Sequence, residues 1–125
     1  MNEERFRAGL EMRKAVLGHA HVERSLNNAT EFTRPLQELV TEYCWGEIWT
    51  REGLDRKSRS LLNLAMLTAL NRPHELELHV KGALTNGVTE DELIEVFLQA
   101  AIYCGVPAAI DSFRVATKVL NERKV

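Results

Sequence analysis

A chain of 125 residues with Lys+Arg 16 against Asp+Glu 18, a net charge of −2 and 45% hydrophobic residues holds enough material for one domain with a small core, needing neither metal nor disulfide to fold. The charge balance gives no basic footprint for nucleic acid or a membrane surface, and no stretch approaches the ~18 apolar residues of a membrane span. The opening MNEERFRAGLEMRK is too polar for a secretory signal, and the two cysteines, Cys44 and Cys104, read as reduced thiols, so the expected location is cytoplasmic.

Few glycines and prolines, with apolar residues spaced at three and four, predict an all-α domain over residues 1–125 without internal repeats. The first helix is expected from about Asn2 to Leu17, with Phe6, Leu10, Arg13 and Leu17 in one row and Gly18 as its stop. His19 to Glu31 has few apolar anchors and predicts an irregular or short-helical connector. Thr33 before Arg34-Pro35 predicts a capped start to a helix whose Leu36, Leu39, Val40 and Tyr43 share a face. Carried through Gly46, that stripe reaches Glu47, flanked by Trp45 and Trp49, with Arg51 four residues on and able to pair with it.

After Gly53, Asp55 is expected to cap a helix whose middle, LLNLAMLTAL, is apolar nearly all round and so central. Pro73 opens the next, with Leu76, Val80, Ala83 and Leu84 inward, His79 on the same side, and Asn86-Gly87 as the stop. Thr89 to Glu92 forms a capping box, launching a helix with Leu93, Ile94, Phe97, Leu98, Ala101 and Cys104 on one face and Gly105 at its end. Pro107 starts the last helix, with Ile110, Phe113, Ala116, Thr117 and Leu120 inward. About six helices result, with antiparallel pairs over 55–86 and 89–121. Their apolar faces are wider than one small bundle needs, which predicts subunits that share a core in a dimer or ring.

The residues offer few groups for chemistry. His19 and His21, two apart in the connector, make a poor metal pair. His79 reads either as a core histidine held by one hydrogen bond or as a functional imidazole. Glu47 is either a surface carboxylate paired with Arg51 or a partly buried group that orients a histidine, which would oblige it to have a cationic partner. Arg51, Arg56, Lys57 and Arg59 are either a solvated helix start or an anion site, for which arginine suits a carboxylate better than lysine. Cys104 and Cys44 read as small buried hydrophobes, and Trp45 and Trp49 as packing or interface residues before substrate platforms. Composition and spacing name no reaction.

Residues 42–116 contain CWGEIW, GLDRKSRSLL, LHVKGALTNGVT and YCGVPAA, and FRAGLEMRKAVLG stands in the N-terminal helix. In these blocks the chain resembles the decarboxylase branch of the carboxymuconolactone decarboxylase and alkylhydroperoxidase D-like family. The thiol peroxidases of that family carry two cysteines separated by two residues, with a histidine four after the second. Placing that histidine on His79 puts Arg72 and Glu75 at the thiol positions and Ser60 near the relay glutamate, so dithiol chemistry is excluded.

What the resemblance implies is a carboxy-lyase without cofactor or metal, converting 4-carboxymuconolactone to 3-oxoadipate enol-lactone and CO2 in protocatechuate catabolism by the β-ketoadipate pathway, assembled as a ring, most often a hexamer. Loss of CO2 leaves an electron pair that the conjugated lactone carbonyl takes up as an oxyanion. Under that reading His79 is proton donor or oxyanion partner, Glu47 fixes its tautomer, Arg51 or Arg59 clamps the spare carboxylate, and Trp45 or Trp49 offers the departing carboxylate an apolar wall. The rival readings are a relative acting on another small lactone or keto acid, and a non-catalytic helical subunit that binds a small molecule or organises partners.

Overall fold

The computed structural model describes residues 1–124, and among them every regular element is helical. Seven α-helices and one π-helix follow in the order α1 (Glu3–Leu17), α2 (His19–Asn27), α3 (Arg34–Leu39), the π-helix (Val40–Ile48), α4 (Arg56–Ala69), α5 (Pro73–Thr85), α6 (Glu90–Cys104) and α7 (Val106–Arg123). The all-helical expectation holds. The chain divides into two compact units, Met1–Asp55 and Arg56–Val125.

In the first unit, α1 starts on an Asn2 side chain that accepts the Arg5 amide and stops at Gly18, whose φ of +94° suits glycine. The connector is more ordered than its composition suggests, since α2 occupies nine residues and buries Val22 completely. Thr33 does not cap α3 with its side chain; its hydroxyl instead accepts the Thr30 amide at 2.9 Å, closing the turn before the helix.

The larger departure follows at Val40. The backbone widens into a π-helix, shown by Trp49 N donating to Cys44 O at 3.0 Å, five residues back. Widening changes which residues share a face. Thr41, Trp45 and Gly46 turn inward, whereas Leu36, Leu39 and Tyr43, expected on the buried stripe, are more than half exposed. The reason is visible where α1 crosses: a Cβ on Gly9 would strike the Thr41 carbonyl, and one on Gly46 would strike the Arg5 backbone. Backbone meets backbone there, and the small core beside it is Val16 with Trp45 and Trp49.

In the second unit α4 packs on α5, α6 and α7 around Leu64, Leu76, Val80, Ala83, Leu93, Phe97, Ala116 and Val119. Helix α5 ends at Asn86 with Gly87 at φ +94°, and the Thr89–Glu92 capping box forms as predicted, each side chain bonded to the other residue's backbone amide. Helix α7 is turned by about one residue from expectation. Ala109, Ser112, Ala116 and Val119 are buried, while Ile110 and Thr117 are exposed. Small residues allow α7 to lie close to α4, where Thr68 Oγ1 and Ser112 Oγ share a hydrogen bond of 2.7 Å inside the core. Large apolar side chains are left outside. Leu62, Met66, Leu70, Ile94, Leu98, Ile102, Tyr103 and Ile110 are all exposed, so α4 is less covered than its all-round apolar sequence suggested. Cys104, read as buried, is exposed too, because α6 buries Leu93, Phe97 and Ala100 instead.

Candidate active site

His79 sits on α5 between Leu76 and Val80, both of which line the core of the second unit. Proline at the start of α5 and the Asn86-Gly87 stop fix that helix, and its apolar stripe dictates that the imidazole is largely covered. Burial pushes the His79 pKa down, and the charge of Glu75 one turn earlier opposes it weakly. At neutral pH the ring is therefore uncharged, with one N–H donor and one acceptor nitrogen.

Ser60, near the place expected for the peroxidases' relay carboxylate, is fully buried and accepts a hydrogen bond of 2.9 Å from Asn86 Nδ2. It ties the start of α4 to the end of α5 and carries no charge. Arg59 beside it is partly covered, and Arg51 is exposed.

Glu47 lies near the end of the π-helix with its side chain 39% exposed. A cationic partner is Arg5 of α1, Nε to Oε2 3.3 Å. Arg5 also approaches Glu42 at 4.0 Å, so one guanidinium serves two carboxylates on the π-helix. Trp45 and Trp49 are 3% and 5% exposed, stacked with centroids 4.7 Å apart and packed with Val16. Both rings are core residues of the first unit.

Sequence reasoning missed Arg13 and Arg5. Arg13 is 6% exposed and donates from Nη1 to Gln37 Oε1 and Thr41 Oγ1, each at 3.0 Å. The signal was present, since Arg13 falls in the otherwise apolar row of the first helix. Arg5 left none, because its role depends on a helix crossing. Beside Arg13, burial raises the Cys44 thiol above its ordinary value and the guanidinium pulls it partly back, so the thiol stays protonated at neutral pH.

A cavity of about 430 Å³ opens between α4 and α6, walled by Leu61, Leu62, Ala65, Val96 and Ala100 with Tyr103 and Cys104 at its edge. None of the expected site residues lines it, and its walls run from buried Ala100 through half-buried Leu61 and Val96 to exposed Leu62 and Tyr103.

A chain whose described regular elements are all helical, with an uncharged, largely covered imidazole on a core helix, has the makings of a small enzyme that works with side-chain acids and bases. Residues 34–118 match the Carboxymuconolactone decarboxylase family, and the chain belongs to it. It is 51% identical over 117 residues to nitrosuccinic acid decarboxylase npaB of Metarhizium robertsii, covering 94% of this chain and 82% of the relative. To the 4-carboxymuconolactone decarboxylase of Acinetobacter baylyi it is 42% identical over 121 residues, 97% of this chain and 90% of the relative. A shorter match, 40% over 45 residues, joins 36% of this chain to 94% of the 4-carboxymuconolactone decarboxylase of Pseudomonas putida. These relatives are decarboxylases by name, and they support an enzyme of that kind.

Proposed function

We propose that the protein decarboxylates 4-carboxymuconolactone to 3-oxoadipate enol-lactone and CO2. The observation that carries this reading is the 42% identity across 97% of the chain to an enzyme of that name. A second reading, a nitro acid as substrate, is favoured by the 51% identity to nitrosuccinic acid decarboxylase. The two share one chemical problem. Breaking the carbon–carboxylate bond leaves an electron pair on carbon, which a conjugated lactone carbonyl takes up as an enolate-type oxyanion and a nitro group takes up as a nitronate. The protein must stabilise that negative oxygen and then deliver a proton to carbon. The substrate supplies the electron sink, so the chemistry asks for no cofactor.

His79 is the group proposed for both tasks. An uncharged imidazole N–H donates a hydrogen bond to the developing oxyanion without attracting the ground-state carboxylate as a cation would, which is the differential binding that speeds a step. A preset donor of this kind contributes about 3–4 kcal/mol in a dry site. As negative charge builds nearby, the ring's proton affinity rises, so its free nitrogen takes up a proton from solvent and the imidazolium formed passes one proton to carbon, returning to the uncharged ring. Glu47 is proposed as the accompanying carboxylate, Arg51 and Arg59 as groups for the spare carboxylate, and Trp45 and Trp49 as an apolar wall. A homo-oligomer, a hexameric ring in the finer form of the proposal, and a cytoplasmic location complete it. The exposed apolar side chains on α4, α6 and α7 support self-association, Ile102 and Tyr103 being 81% and 79% exposed.

Offering the purified protein each acid separately and following CO2 release together with ultraviolet absorbance tests the reading. Turnover of the lactone well above that of nitrosuccinate is expected. The reverse order selects the second reading, and no turnover of either refutes both.

A further inference from the structure

In the first unit Phe6, Leu26, Ala29, Arg34, Gln37 and Glu38 enclose a cavity of about 190 Å³, below the ~300 Å³ typical for drug-sized ligands and suited to an acid of a few carbons. Behind one wall lies Arg13. It is more than nine-tenths buried, its Nε makes no hydrogen bond, and among the described residues no carboxylate forms an ion pair with it. Its side-chain acceptors are a neutral amide and a hydroxyl. A buried cation without a counter-charge is costly, and such an arrangement persists when something else supplies the anion.

Gln37 links the two features. It lines the cavity, and its Oε1 accepts from Arg13 Nη1 at 3.0 Å. An amide oxygen held by a guanidinium polarises the amide, making its own N–H group a stronger donor, so part of the buried charge is passed to whatever Gln37 bonds next. Arg34 adds a full positive charge at the same cavity.

We propose that this cavity is a binding site for a small carboxylate, held by Arg34 and by the Gln37 amide with Arg13 behind it. Planar donors suit a planar carboxylate, Phe6, Leu26 and Ala29 accommodate a short carbon chain, and the Glu38 carboxylate opposes the bound anion and moderates its affinity. The site uses no residue of the His79 reading and stands or falls separately from it.

Calorimetric titration with succinate, and with chloride as a control anion, tests the proposal. The wild-type protein is expected to bind succinate at millimolar concentration or tighter, with chloride a poor competitor. Gln37→Glu places a carboxylate against Arg13 and beside the ligand, so binding should weaken about tenfold or more while the melting temperature holds or rises. A residue with only a structural role would show the thermal effect without the loss of binding. Arg34→Gln, at an exposed position, should weaken binding severalfold, and Glu38→Gln should strengthen it. His79→Gln should bind succinate as wild type does, whether or not it retains turnover. The proposal is overturned by no binding to the wild type, by equal competition from chloride, or by unchanged affinity in both Gln37→Glu and Arg34→Gln.

Discussion

Around α4 the interior of Arg56–Val125 is hydrocarbon, interrupted by hydroxyls that bond to each other, to a backbone carbonyl or to the Asn86 amide. Around the π-helix the interior of Met1–Asp55 holds a guanidinium, two stacked indoles and a place where backbone touches backbone. The first interior follows from helical periodicity and tolerates small changes in volume. The second depends on single atoms, because nothing can be added at Gly9 or Gly46 without moving a main chain. The difference teaches that one chain can build one half by pattern and the other by contact.

Separating chemistry from architecture gives the largest expected effect. His79→Gln should lower kcat by about 10²–10⁴-fold with little change in melting temperature, as measured by steady-state assay and calorimetry on the same preparation. A parallel collapse of the fold would make His79 a packing residue. Gly9→Ala should do the opposite, destabilising by about 1–3 kcal/mol or more through overpacking against Thr41, read as a lower denaturant midpoint. Thr68→Val in the second unit removes one partner of Ser112 and should cost about 1–3 kcal/mol, whereas changing both Thr68 and Ser112 to apolar residues should restore part of it.

Two smaller effects sharpen the contrast. The folded His79 pKa lies below the unfolded value of about 6.5, so the unfolded chain binds the extra proton first. The stability that uncharged His79 contributes is complete above that value and is lost as pH falls through the folded pKa. Stability of the wild type, compared with His79→Gln, should decline as pH falls below about 6.5 towards the folded pKa, and kcat/KM should fall at lower pH, through the folded pKa itself. The thiols offer the mildest test. Cys104 is exposed and Cys44 is partly buried with a raised pKa, so iodoacetamide should label Cys104 first and Cys44 only slowly, as peptide mass mapping would show.

How legible each half was in the sequence follows the same division. The Thr89–Glu92 capping box, the Gly18, Gly87 and Gly105 stops and the Leu76–Val80–Ala83 stripe with His79 beside it were all readable, because each rests on interactions within a few residues. The rotation of α7 was not, since reading ranks large apolar residues inward and the fold chose Ala109, Ser112 and Ala116 for close approach to α4. The stripe through Leu36, Leu39 and Tyr43 failed in two ways: α3, which holds both leucines, buries no residue, and beyond Leu39 a period of 3.6 no longer applies because the helix widens, which no local residue announces. The pairing of Glu47 with Arg5, forty-two positions away in sequence, depends on the crossing of α1 and the π-helix and was equally out of reach.

The stacked indoles have one practical consequence. Trp45 and Trp49 are the chain's two tryptophans, and both lie in the amino-terminal unit. Fluorescence excited at the red edge of protein absorption therefore reports on that unit alone, and loss of order in the carboxy-terminal helices would pass unseen unless a third indole were introduced there.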